Sequence, residues 1–146
     1  MTTDNKILFL CTGNYYRSRF SEHFFNAQAQ RLNWWADSRA LAIKQGFNNV
    51  GAISPYALEG LKVRGITVPE NERFPLQAVD ADFKTADKII VLDESEHRPL
   101  MEKHFPQWTN VVEYWMIHDI DQTYPSVALR QMEQQLTQLI ESLINL

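Results

Sequence analysis

The chain has 146 residues, 45% of them hydrophobic and 12% aromatic, with a net charge of −4. That is the composition of one globular domain, 1–146, able to close a core without disulfides, and it is too acidic for a general nucleic-acid binder or a polybasic membrane anchor. A single cysteine excludes an internal disulfide and any multi-cysteine metal site, and fits a reducing compartment.

The opening "MTTDNKILFL" has an apolar run too short for a signal peptide. No stretch approaches the length of a membrane span, so the expectation is a soluble cytoplasmic protein. Ile7 to Leu10 reads as a strand buried on both faces. From Ser18 onward Phe20, Phe24, Ala27 and Leu32 mark a helical face, with Glu22 in its first turns. "WWADSRAL" predicts a second strand. Ser54 and Pro55 are start signals for a helix over "SPYALEGLKVRG", which ends at a glycine.

Ile66 to Asp80, with two prolines, reads as a loop. "KIIVL" at 88–92 is a third strand. "DESEHRPLMEKHF" is helical, and Pro99 leaves two alternatives: a start near or after Arg98, or a start at 94 with a bend. "NVVEYW" predicts a fourth strand. From Pro125 to the end Leu129, Met132, Leu136, Leu139, Ile140, Leu143 and Ile144 recur at helical spacing, most simply a helix buried against the sheet. Trp34, Trp35, Trp108 and Trp115 read as core or edge packing.

Strand and helix alternate four times, which predicts an α/β fold with a parallel sheet and helices on both faces. Ligands of such sheets sit beyond the carboxyl ends of the strands. "CTGNYYRS", at 11–18, lies at that place. A turn running into a helix can aim successive backbone N–H groups inward and adds the helix's positive end, a site for an oxyanion. Gly13 tolerates positive φ and close approach, and Asn14 is the next best left-handed residue. Arg17 can grip two phosphate oxygens with its planar fork. The same groups favour the Cys11 thiolate, which can attack phosphorus and form a cysteinyl-phosphate. Ser18 can donate to that thiolate. The leaving oxygen needs a proton and the attacking water must lose one; Asp119 and Asp121, both in "HDID" after the fourth strand, are candidates. His118 reads as a surface or loop histidine.

"CTGNYYRS" resembles the loop of the low-molecular-weight protein tyrosine phosphatase family, Cys-x-Gly-Asn-x-Cys-Arg-Ser after an apolar strand near the N-terminus. The resemblance extends over most of the chain. "DSRAL" stands at the family's second strand, and "ADKIIVLDESEHRPL" where a strand leads into Met-Asp-x-Ser-Asn. "YWMIHDID" stands where the family carries its Asp-Pro acid. The resemblance implies a flavodoxin-like fold with a four-stranded parallel sheet, and metal-independent hydrolysis of phosphomonoesters, above all protein phosphotyrosine. It assigns Cys11 as nucleophile, Arg17 as phosphate clamp and Asp119 as general acid and base. Thr12, Gly13, Asn14, Tyr15, Tyr16 and Ser18 bind the substrate, Asn14 holding the loop and Ser18 tuning the thiolate. No metal or cofactor is expected. The expected partner is a phosphorylated protein, with no nucleic acid and no membrane, and the chain is expected to be a monomer.

Several positions depart from the pattern. Tyr16 replaces a second cysteine that can trap an oxidised nucleophile as a disulfide. Ile120 follows Asp119 in place of proline, and the aromatic pair that flanks the substrate ring is missing, with Tyr124 slightly further on. Tyr15 or Tyr16 supplies an apolar wall instead, or packs at the rim. A histidine that supports the loop asparagine in some relatives has no clear equivalent, and "NERF" lies near its position. Two other activities share the loop. Arsenate reduction lacks the two further cysteines of a disulfide relay and would need an external thiol. A non-catalytic phosphate-binding module needs no acid.

Overall fold

The computed structural model describes residues 4–145. Its sheet has four parallel strands in the order β2-β1-β3-β4. The strands are β1 (Asn5–Cys11), β2 (Trp34–Ala40), β3 (Lys88–Val91) and β4 (Glu113–Tyr114). The α-helices are α1 (Arg17–Gln28), α2 (Pro55–Val63), α3 (Asp80–Thr85), α4 (Glu94–His104) and α5 (Pro125–Ile144). Among the described residues no helix is long and apolar enough to cross a membrane.

β1 lies between two strands, so both its faces must be covered, and its apolar run divides with the period of a strand. Ile7 and Phe9 join Phe20, Phe25, Leu61 and Met132 beneath α1, α2 and α5. Leu8 and Leu10 join Leu41, Phe83, Ile89 and Met101 beneath α3 and α4. The chain leaves β1 toward β2 on one side and later returns to β3 on the other. Such a reversal opens a crevice beyond the strands' carboxyl ends. Cys11 is the last residue of β1 and stands at that crevice.

α4 takes the earlier of its two alternative starts: it begins at Glu94 and runs through Pro99, and Asp93 caps it by accepting from the Ser95 N–H. Three predicted elements need correction. α1 starts at Arg17, one residue early, and stops at Gln28, so that Leu32 packs on the core from the turn beyond. α3 lies at the end of the expected loop. It has six residues, only Phe83 buried among them, so periodicity cannot reveal it. The fourth strand shrinks to two residues, since Val111 and Val112 are taken into turns by their N–H bonds to Trp108 O.

Candidate active site

Loop 12–16 is held from outside. Cys11 O accepts from Leu41 N (2.9 Å), Thr12 O from Ala42 N (3.0 Å) and Tyr15 O from Ser54 N (2.9 Å). A trans peptide sets its N–H opposite its C=O. Carbonyls drawn outward therefore turn the N–H groups of Thr12, Gly13 and Tyr16 toward the inside of the loop, where an anion can collect them.

The loop's one left-handed residue is Asn14, with φ +53°. Gly13 is there for close approach alone: a Cβ would stand 3.1 Å from Asn49 Nδ2 and 3.7 Å from Gly46 Cα. Fully buried Asn14 donates from Nδ2 to Ser18 Oγ and to Ser38 Oγ, both at 2.8 Å. Its Oδ1 accepts from Arg73 (3.0 Å) and Leu76 N (3.1 Å). These four bonds fix a conformation that asparagine tolerates better than most residues. Ser18 Oγ in turn lies 3.0 Å from Cys11 Sγ. With its lone pair taken by Asn14, its hydroxyl proton is free to serve the sulfur once the thiol has ionised.

Arg73 belongs to "NERF", where no equivalent of the supporting histidine was legible. Besides Asn14 it donates to Ser38 O (2.9 Å) and reaches Glu22 (3.2 Å) and Asp37 (3.4 Å). A permanent cation thus backs the loop.

Arg17, 2% exposed, opens α1 and lines the cavity with Cys11. Its two terminal nitrogens donate to Ile117 O (2.9 Å) and Glu96 Oε2 (2.8 Å). Asp93 (3.6 Å) and Asp119 (3.7 Å) stand just outside hydrogen-bond range. Burial alone would lower the Arg17 pKa, but the charges of Cys11, Glu96 and Asp119 outweigh it and raise it. Burial likewise opposes ionisation of Glu96, yet bonds from His97, Arg17 and Thr12 hold its carboxyl well below the usual carboxylate range. His97 is fully buried, and burial lowers its pKa; its Nδ1 accepts from Asp93 N (3.0 Å), so Nε2 carries the proton.

The cavity has a volume of about 230 Å³. Cys11, Thr12, Gly13, Tyr15, Tyr16, Arg17 and Asp119 line it, together with Asn49, Ser54, Pro55, Tyr56 and Ile120. Asp119, with 41% of its side chain exposed, is thereby brought to the thiol, whereas Asp121 is exposed and outside the lining. Asn14 and Ser18 support the loop from behind. Tyr16 is 6% exposed and meets the edge of Tyr56 at 6.5 Å, and Tyr15 ties its hydroxyl to Val50 O (2.6 Å). Tyr124, 80% exposed, takes no part in the lining. His118 is the loop histidine expected, and its Nδ1 in addition lies 2.8 Å from the buried Asp93 carboxylate. Sequence reasoning missed Tyr56, Arg73 and Glu96. Only Glu96 left a signal, the Asp-x-x-Glu spacing of a helix start in "DESE".

An α/β sheet thus gathers a thiol, an arginine and a carboxyl group in one cavity at the end of its first strand, the parts that an oxyanion site needs. Residues 6–144 match the family described as low molecular weight phosphotyrosine protein phosphatase, and the chain belongs to that family. The Sus scrofa low molecular weight phosphotyrosine protein phosphatase is 34% identical over 101 residues, which is 66% of this chain and 60% of that protein. The structure of YfkJ from Bacillus subtilis superposes with a TM-score of 0.80 at 18% identity, covering 99% of this chain and 97% of that one. The YwlE arginine phosphatase from Geobacillus stearothermophilus gives 0.76 at 21% identity, covering 97% and 94%. These two likenesses concern the fold.

Proposed function

We propose that the protein hydrolyses phosphomonoesters of the phosphotyrosine type, its substrate being a phosphorylated protein. The observation that carries this reading is the meeting of Cys11, Arg17 and Asp119 in one cavity. In the first step the Cys11 thiolate attacks phosphorus and the P–O bond to the leaving group breaks. The oxygen departs with a proton from Asp119. In the second, a water gives its proton to Asp119, bonds to phosphorus and displaces the thiolate as the S–P bond breaks. Arg17 and the inward N–H groups hold the phosphoryl oxygens through both steps. The Ser18 hydroxyl stabilises the departing sulfur. Tyr56 and Tyr16 line the cavity and supply apolar surface against which the phenyl ring of an aryl phosphate can pack.

The test is hydrolysis of a series of phenyl phosphates without added metal, with phosphoarginine in parallel. Cys11→Ser should be inactive. Asp119→Asn should lose about 10²–10⁴ in kcat/KM on poor leaving groups, and progressively less as the leaving phenol becomes more acidic. Full activity of Cys11→Ser, or an Asp119→Asn deficit in kcat/KM that is independent of the leaving group, refutes the mechanism. A preference for phosphoarginine refutes the substrate class.

A further inference from the structure

Asp93 caps α4, and Glu96 stands three residues on, the position from which a glutamate ordinarily folds back onto the cap's own N–H. Here that N–H is taken by His97 Nδ1 at 3.0 Å. Glu96 is thereby released from its helix and reaches the loop. One of its oxygens, Oε2, accepts from Arg17 at 2.8 Å and from the Thr12 hydroxyl, and lies 3.0 Å from His97 Nε2. Asp93 and Asp119 lie 3.6 and 3.7 Å from the same guanidinium. A single cation, 2% exposed, therefore already faces three carboxylates before any phosphate arrives.

We propose that Glu96 sets the charge this site accepts: its carboxylate opposes an incoming phosphate on Arg17, so the protein holds a phosphate dianion less tightly than a neutral side chain at 96 would allow. The inference rests on the reading of Arg17 as phosphate clamp. A phosphate gripped by Arg17 lies about 6 Å from the Glu96 carboxylate, two ionic contacts away. At an effective dielectric of about 40, between interior and water, two unit charges at that distance change an equilibrium constant about tenfold. The penalty grows with the second phosphate charge. It loosens the product as well as the substrate.

The alternative is that Glu96 only orients Thr12 and Arg17. Glutamine keeps the length and one accepting oxygen and removes the charge, so the two roles give opposite results. Inorganic phosphate is titrated calorimetrically into the full chain, comparing wild type with Glu96→Gln and Glu96→Asp at pH 5.5 and pH 8. These values straddle the second ionisation of inorganic phosphate, about pH 7, roughly a unit above that of a phosphomonoester. The groups facing the site are Cys11, Arg17, Asp93, His97, His118 and Asp119; loss of Glu96 also lowers the His97 pKa, so sulfate, a dianion at both pH values, is titrated in parallel to separate that ring's titration from the phosphate's. Glu96→Gln should bind phosphate about a hundredfold more tightly at pH 8, where phosphate is mainly a dianion, and about tenfold more tightly at pH 5.5, and Glu96→Asp should show no gain. Equal or weaker binding by Glu96→Gln, or a gain that ignores pH, overturns the proposal and leaves the clamp standing. Absence of phosphate binding to all three proteins at pH 8 overturns the clamp and the proposal together. Should Glu96→Gln fail to fold, Glu96→Asn is the second neutral variant, and the same outcomes decide.

Discussion

Tyr16→Phe should make the protein more stable. The Tyr16 ring is 6% exposed, and its hydroxyl is buried without a hydrogen-bond partner among the described residues. An unpaired buried polar group costs about 1–3 kcal/mol. Phenylalanine removes that cost and keeps the edge contact with Tyr56, so the gain should be about 1–2 kcal/mol at pH 7. With an unfolding entropy of about 0.3 kcal/mol/K for a chain of this size, each kcal/mol raises Tm by about 3 °C. Burial first, and then the Asp119 carboxylate, push the phenol up to about 12. The unfolded chain ionises near pH 10, so it sheds this proton first as pH rises. The stability linked to the phenol is fully present below about pH 10 and is lost as pH climbs through about 12. The full swing is roughly 2–3 kcal/mol. Urea denaturation in the presence of reductant, at pH 7 and at steps from pH 9 to 11.5, measures both effects in the difference between the two proteins. A Tyr16→Phe protein less stable at pH 7 by more than about 0.5 kcal/mol means the hydroxyl is paired, since surface-like neutrality ends there. A stability gap that stays flat above pH 10 means burial does not hold the phenol neutral.

Arg73→Met removes one bond to the loop, at Asn14, and one to Ser38 O, and leaves Glu22 and Asp37 short of a cation. Denaturation should show a loss of about 2–4 kcal/mol, and aryl phosphate kcat/KM should fall at least about tenfold, with partial recovery in Arg73→Lys. Asp121→Asn should leave kcat within about twofold, since its carboxyl lies outside the cavity and contributes no proton transfer; a deficit matching that of Asp119→Asn would transfer the acid's role. Peroxide should inactivate the protein with diminishing recovery by added thiol as exposure lengthens, because the sole cysteine has no intrachain partner to trap its sulfenic acid. Complete recovery after prolonged exposure contradicts this.

The parts of the fold that could be read from sequence are those whose causes are local. The run Ile7–Leu10 is apolar at every position because β1 is covered on both faces. The stripe from Leu129 to Leu143 repeats because α5 lies along one. Gly13 and Asn14 were legible as turn residues, but their division of labour was not, since Gly13 is constrained by Asn49 and Gly46, thirty and more residues away. Arg73 and Glu96 meet the loop residues Asn14 and Thr12, 59 and 84 positions distant. No periodicity records such pairings. The partner of His118 was hidden for the same reason: it is a buried carboxylate at the mouth of another strand. Among the tryptophans, Trp115 is buried and Trp108 stacks on Phe83. Trp35 is 42% exposed at the sheet edge beneath the Lys6 ammonium.

The charges introduced around the loop do not act alike. Behind it, Arg19, Arg39 and Arg73 face Glu22, Asp37 and Glu72 in ion pairs of 2.8–3.8 Å. Opposite charges so closely matched cancel beyond their own neighbourhood, so that cluster can fix Asn14 without altering the potential at the phosphate site. In front, Glu96 has no cation to itself. Its countercharge is Arg17, which a bound phosphate must also use, and His97 beside it has its pKa lowered by burial. Substitutions behind the loop should therefore act through geometry, moving stability and turnover together. Substitution of Glu96 should act through charge, raising phosphate affinity by an amount that depends on pH.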